Sequence, residues 1–145
     1  MAAYLSTDLT GSANATTVPV GYKPAATVVG ARLRRLRGSF TYASQTTSDT
    51  LVIGNLPTGA TFAYGVLTAS ASSGSTTLAI GITGTTGKYR AAGAFTATDT
   101  PTLFGTATAA SAAPLSAEEQ VFITIAGATA PSSGTLVVDL YYSMP

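Results

Sequence analysis

Short segments in which large apolar residues alternate with small or polar ones recur from Arg32 to the end of the chain. Clusters of glycine, serine, threonine and proline separate them at a spacing of about ten residues, which is typical of β-sandwiches and β-barrels. Such alternation buries one face of a strand and leaves the other exposed. The pattern therefore predicts one all-β domain over residues 31–145, a β-sandwich with about eight strands and very little helix.

The clearest segments predict strands over residues 32–42, 51–53, 61–69, 78–82, 121–125 and 135–142. In the third segment, strict alternation places Phe62, Tyr64 and Val66 on one face. In the fourth, leucine and isoleucine are expected inside, and alanine and glycine outside. Ser116 and Glu119 have the spacing of a helix capping box, so one helical turn is expected before residue 121. Residues 91–114 show no sustained period.

Residues 1–30 differ from the rest of the chain in composition and in the pattern of their apolar residues. They carry scattered Thr, Ser, Ala and Gly together with Pro19 and Pro24, and they sustain no apolar period. Each proline removes a backbone donor and biases the preceding residue towards extended conformations. We therefore expect an extended N-terminal arm over residues 1–30 that leads into the β-sandwich domain over residues 31–145.

The composition excludes several kinds of chemistry. The chain has no His and no Cys, so the usual ligands of zinc, iron–sulfur and haem sites and the parts of nucleophilic triads are missing. Its six acidic residues are scattered, and nothing pairs two carboxylates across a cleft. The glycine-rich run at residues 81–87 is not closed by the Lys–Ser/Thr pair of a phosphate loop, and no helix is expected after it. The sequence predicts no enzyme, no metal site and no cofactor.

Four of the seven positive charges lie close together, at Arg32, Arg34, Arg35 and Arg37. On a strand, Arg32 and Arg34 share one face, while Arg35 and Arg37 share the other. A nucleic-acid surface would gather its cations on one side of a strongly basic domain, whereas this chain has a net charge of +1. Nucleic acid is therefore not the expected partner. Two hypotheses remain: contact with another protein, or protection of an edge strand against aggregation.

Five tyrosines are candidates for a binding surface: Tyr42, Tyr64, Tyr89, Tyr141 and Tyr142. Tyrosine is enriched at protein interfaces, and aromatic rings also stack on the apolar faces of sugars. The absence of Trp favours the protein interface. Adjacent residues on a strand point to opposite sides, so Tyr141 and Tyr142 cannot both face the core. Tyr141, on the face of Val137 and Asp139, is the tyrosine that we expect at an interface.

Only 9% of the residues are charged, against roughly a quarter in an average domain. Depletion of charge is a property of cores and subunit interfaces, so other subunits of a symmetric assembly are expected to cover much of the surface. The N-terminus has neither the basic start nor the apolar run of a signal peptide, and no stretch is long enough for a transmembrane helix. Synthesis in the cytoplasm, with no membrane partner, is expected.

Three segments carry a family resemblance: residues 34–41 after the Ala/Thr-rich arm, residues 78–102, and the ending at residues 134–145. Together they resemble small structural proteins of tailed-bacteriophage virions, of the capsid decoration or cement type. The resemblance implies a jelly-roll-like β-sandwich that trimerises at capsid symmetry axes and straps neighbouring capsomers with its arm. It transfers no catalytic or ligand-binding residue, because the matching motifs are structural.

The residues and the resemblance together predict a virion structural protein, made in the host cytoplasm and located on the capsid exterior, that decorates and stabilises the capsid. Its expected partners are the major capsid protein and further copies of itself, with a homotrimer favoured. The expected interface residues are Arg32, Arg34, Arg35, Arg37 and Tyr141. The alternatives are a tail or head–tail connector protein, and a carbohydrate-binding β-sandwich displayed on the virion.

Overall fold

The computed structural model describes residues 31–144 of the chain. Eight strands and one short helix make up this part: β1 (Arg32–Thr41), β2 (Thr50–Leu56), β3 (Thr61–Ala69), β4 (Thr77–Ile82), β5 (Thr85–Ala94), β6 (Thr102–Phe104), α1 (Ala107–Ala110), β7 (Glu119–Ala126) and β8 (Thr135–Met144). The expected all-β class is confirmed. The arm expected over residues 1–30 lies outside the described residues.

The strands form two antiparallel sheets of four strands each. The first sheet has the order β1-β8-β3-β6, and the second sheet has the order β2-β7-β4-β5. The chain changes sheet at every connection except the β4–β5 hairpin, so most neighbours within a sheet are distant in sequence. This connectivity is that of a jelly roll, which is the fold that the resemblance implies.

Alternate side chains of both sheets fill the core between them. The central strands β7 and β8 contribute six residues that are fully buried: Val121, Ile123, Ile125, Leu136, Val138 and Leu140. Each such side chain stabilises the fold by roughly 1.5–3 kcal/mol relative to an exposed position. The alternation predicted for these two segments is confirmed.

A β-bulge in β3 makes the predicted face of Tyr64 and Val66 wrong. Phe62 and Tyr64 pair with adjacent residues of β8, so Ala63 between them is an extra residue. Phe62 points into the core before the bulge, and residues 65, 67 and 69 are buried after it. Tyr64 and Val66 therefore lie on the outer face, because an inserted residue inverts the alternation of side chains.

Strand β4 also departs from the expected pattern of large residues inside and small residues outside. Four consecutive residues of this strand, 78–81, are buried. The backbone of Thr85 and Thr86 passes over Gly81, and a Cβ at that position would clash with the Thr85 carbonyl oxygen. Glycine is needed for this close approach. The run at residues 81–87 is thus a β-hairpin and not a phosphate loop.

The helical turn expected at Ser116 does not form. Residues 116 and 117 make a bend, and Glu119 begins β7, where its carboxylate binds groups on β5 instead of capping a helix. The helix within the described residues is α1, in the stretch without a sequence period. Thr106 caps it by accepting a hydrogen bond from the Ala109 N–H at 3.2 Å.

Candidate interaction surface

Strand β1 is an edge strand of the first sheet and pairs with β8 along its whole length. The register places Arg35 opposite Tyr141 and Arg37 opposite Asp139. Residues directly opposite each other in an antiparallel pair share a face. Three of the five expected interface residues, Arg35, Arg37 and Tyr141, are therefore neighbours on one surface.

The four arginines of β1 lie on two faces, as their spacing predicts. Leu36 packs against the core, so Arg35 and Arg37 on either side of it point outwards. Arg32 and Arg34 lie on the same side of the strand as Leu36, but nearer to its N-terminal end, where both are exposed. The structure thus separates Arg32 and Arg34 from the remaining interface candidates.

Asp139 forms ion pairs with Arg35 and Arg37, the two arginines that point outwards. Arg37 donates to it twice, from Nε to Oδ1 and from Nη2 to Oδ2, each at 2.7 Å. Arg35 Nε lies 3.9 Å from Oδ1. Asp139 is only 6% exposed, and the hydrogen bonds from Arg37 lower the pKa of its carboxyl. One buried carboxylate therefore offsets much of the charge that this face would otherwise present.

Apolar and aromatic side chains surround this ion pair on the outer face of the first sheet. Tyr64 stacks on Tyr141 with ring centroids 4.8 Å apart and planes 21° apart. On this face Val66 of β3 lies opposite Asp139, and Leu103 of β6 lies opposite Val66. Leu103 is 71% exposed. This face is a largely neutral surface with exposed hydrophobic area at its β6 edge.

The five tyrosines do not form a common surface. Tyr42 and Tyr89 are each 1% exposed, and Tyr142 packs against the core. Only Tyr64 and Tyr141 remain on the outer face, with their rings stacked on each other. A sugar-binding platform made from all five is therefore excluded by burial.

A second cluster of charges joins β5 to the start of β7. Lys88 Nζ donates to both oxygens of Glu119, at 2.6 and 2.7 Å. The Tyr89 hydroxyl donates to the same carboxylate at 2.8 Å, and the Tyr89 ring packs on Phe62 with centroids 4.8 Å apart. Burial raises the pKa of Tyr89, and the bond to Glu119 raises it further. The cluster thus provides a hydrogen-bond acceptor for the Tyr89 hydroxyl at the edge of the core.

The described part of the chain has no group of three or more His, Cys, Asp or Glu side chains placed to hold a metal ion. A shallow groove of about 470 Å³ opens between β3, β6 and α1, lined mainly by Ala63, Tyr64, Leu103, Phe104 and Ala107. Its lining carries no titratable side chain other than the Tyr64 phenol. Within residues 31–144 no helix is long and apolar enough to span a membrane. The groove thus has no acid–base pair among its lining residues.

The fold is shared with chains of three bacteriophage capsid structures. The capsid asymmetric unit of cyanophage Pam1 contains a chain with a TM-score of 0.67 and 23% identity, over 92% of this chain and 96% of that one. The capsid of Ralstonia phage GP4 contains one with a TM-score of 0.64 and 16% identity, over 88% and 92%. The acid-stable capsid of Helicobacter pylori bacteriophage KHP30 contains one with a TM-score of 0.52 and 12% identity, over 79% and 94%.

No protein-family model and no curated protein sequence matches the chain. At these identities the structural likeness establishes a common fold. It bears out the jelly-roll-like sandwich that the resemblance implies, over 79–92% of this chain.

Proposed function

We propose that this chain is a virion structural protein that decorates and stabilises a bacteriophage capsid, by self-association and by binding the lattice of the major capsid protein. The observation that carries the proposal is the jelly-roll fold shared with chains of three phage capsid structures. In the cyanophage Pam1 case the match covers 92% of this chain and 96% of the other. A likeness over nearly the whole of both chains supports a similar structural role in the virion, and our proposal places the chain on the outside of the shell.

A structural role also fits the chemistry of the residues. The chain has no His and no Cys, and the groove beside Tyr64 and Leu103 has no acid–base pair among its lining residues. The buried ionisable groups Asp139 and Tyr89 have partners that hold the fold together. Catalysis therefore has no support in the described part of the chain.

Self-association is assigned to the outer face of the first sheet. Leu103 and Tyr64 are 71% and 38% exposed, and aromatic residues are enriched at the cores of interfaces. The pairing of Arg35 and Arg37 with Asp139 lowers the repulsion between two copies of this face. A second copy is the occupant that matches a largely neutral surface of this kind, and a closed trimer is the favoured assembly.

Capsid binding is assigned to the expected arm over residues 1–30 and to the arginines of β1 that it leads into. An extended segment of about 30 residues spans up to roughly 100 Å, which is enough to reach a neighbouring capsomer. The arginines supply charge for an acidic partner surface.

The proposal is tested by cosedimentation of the purified chain with capsids assembled without it. The full chain should bind and should sediment as an oligomer when alone. A truncated chain lacking residues 1–30 should keep the circular dichroism of a folded β-protein and lose most of its capsid binding.

Two results would contradict this proposal in different ways. Normal binding by the folded truncated chain would remove the role of the arm. Absence of binding by the full chain at micromolar concentration would remove capsid decoration itself.

A further inference from the structure

The two arginines on the core-facing side of β1 have no partner within residues 31–144. Ion pairs in this part of the chain engage Arg35, Arg37 and Lys88, and the Arg90 guanidinium donates to the backbone carbonyls of Leu78 and Gly93. No ion pair or side-chain hydrogen bond joins Arg32 or Arg34 to any described residue. We call these two residues the free arginine pair.

The sequence before residue 31 adds no net negative charge. Residues 1–30 contain one acid, Asp8, and one base, Lys23, so they are neutral overall. On β8 the positions opposite Arg32 and Arg34 are Met144 and Tyr142. Within residues 31–144, no carboxylate side chain pairs with the free arginine pair.

The geometry of the pair suits binding to carboxylates. Arg32 and Arg34 are two positions apart on one face of a strand, so their Cα atoms lie about 7 Å apart. Both are exposed at the end of an edge strand. Guanidinium groups bind carboxylates through two parallel hydrogen bonds, which gives direction as well as attraction.

We propose that the free arginine pair, and not the whole arginine cluster, binds carboxylates on an acidic protein surface. This inference rests on the proposed function, in which the capsid shell supplies that surface. A nucleic acid is disfavoured as the partner, because such sites use a stripe of cations with stacking aromatics. Here the stack of Tyr64 and Tyr141 lies on the opposite face of the sheet, and Tyr142, opposite Arg34, packs against the core.

Protection of the β1 edge against aggregation predicts a different behaviour. Any charge at Arg32 and Arg34 would discourage pairing with another strand, so reversal of the charge would leave the protein unaffected. Binding to an acidic surface requires positive charge. The double variant R32E/R34E separates these two roles, because it keeps the edge charged but repels carboxylates.

The experiment measures cosedimentation of the full chain with capsids assembled without it, between about 50 and 300 mM NaCl. Wild-type binding should weaken as salt rises, and R32E/R34E should bind at least about tenfold more weakly at low salt. R32K/R34K should bind much better than R32E/R34E. The matched control T85E/T86E adds acids at two exposed positions of β5 and should bind like the wild type.

The outcomes distinguish the inference from the proposed function. Salt-sensitive wild-type binding that R32E/R34E loses supports both. Wild-type binding that is insensitive to salt, or that R32E/R34E retains, overturns the acidic contact and leaves capsid decoration standing. Failure of the wild type to bind overturns both.

Tighter binding of the wild type to a DNA duplex of about 20 base pairs than to capsids, measured by fluorescence anisotropy, overturns the choice of a protein partner. If R32E/R34E fails to fold, the charge-neutralising variant R32Q/R34Q replaces it and should also bind more weakly than the wild type at low salt; binding equal to that of the wild type would overturn the acidic contact.

Discussion

Two carboxylates, Glu119 and Asp139, each bind two partners from another strand, but they do so in different parts of the sandwich. Glu119 joins β7 to Lys88 and Tyr89 of β5, beside the packed rings of the core. Asp139 joins β8 to Arg35 and Arg37 of β1, on the outer face of the first sheet.

The difference lies in what each acid's partners do when the acid is removed. Without Glu119, the hydroxyl of the buried Tyr89 loses its acceptor, so the cost falls on the core. Without Asp139, the two arginines remain about half exposed and water can solvate them. One cluster therefore supports the fold, and the other mainly sets the charge that the surface presents to partners.

Removing Glu119 should have the largest effect on stability. We expect E119A to lower the free energy of unfolding by about 2–3 kcal/mol, because it leaves a buried hydroxyl and a half-buried ammonium group without an acceptor. Urea denaturation measures this. The neighbouring variant E118A is the matched control, since Glu118 is exposed and, among residues 31–144, its side chain binds only Asn55, at 2.7 Å. It should cost about 0.5 kcal/mol or less. Equal losses in E119A and E118A would contradict the role given to Glu119.

Removing the charge of Asp139 should have a smaller effect at neutral pH and a clear signature in acid. The hydrogen bonds from Arg37 lower the pKa of Asp139 in the folded state. Its contribution is therefore complete above the unfolded pKa of about 3.9 and is lost as pH falls through the lower folded value.

We expect D139N to cost about 1 kcal/mol at pH 7 and to lose less stability than the wild type on going from about pH 5 to about pH 2. Thermal unfolding followed across this range measures the difference. Parallel curves for the two proteins would show that the ion pair does not stabilise the fold.

Removing the hydroxyl groups of the two buried tyrosines should have the smallest effects on stability, and the two effects should differ clearly. The Tyr42 hydroxyl is buried and has no hydrogen-bond partner within residues 31–144, whereas the Tyr89 hydroxyl binds Glu119. Y42F should leave the stability unchanged or raise it slightly, while Y89F should lower it by about 1 kcal/mol. Melting temperatures of the two variants provide the measurement. A loss in Y42F as large as that in Y89F would reveal a partner of Tyr42 outside residues 31–144.

Much of the fold follows from local sequence pattern. Alternation in β7 and β8 identifies buried and exposed faces correctly, because these central strands have no bulge and one face of each is fully covered. The pattern fails at Tyr64, because a bulge depends on the pairing of β3 with β8 and leaves no local mark. Helix α1 has only four residues, too few to establish a period.

The candidate surface is predictable only in part, for the same reason. The division of the arginines between two faces follows from counting along β1. Their division into paired and free residues depends on Asp139, which lies 102 positions from Arg37. The sequence places Asp139 on the face of Tyr141, but not beside β1. Asp139 comes to lie beside the arginines only because β1 pairs with β8 in this register, which brings the two ends of the domain together.

Capsid decoration is tested most directly by the number of copies of this chain in a purified virion, relative to the major capsid protein. Quantitative mass spectrometry with isotope-labelled peptides of both proteins gives this ratio. A decoration protein should be present in hundreds of copies, in a simple ratio to the symmetry-related positions of the shell. About six or twelve copies would indicate a ring at the connector or tail, and absence from the virion would contradict a virion role altogether.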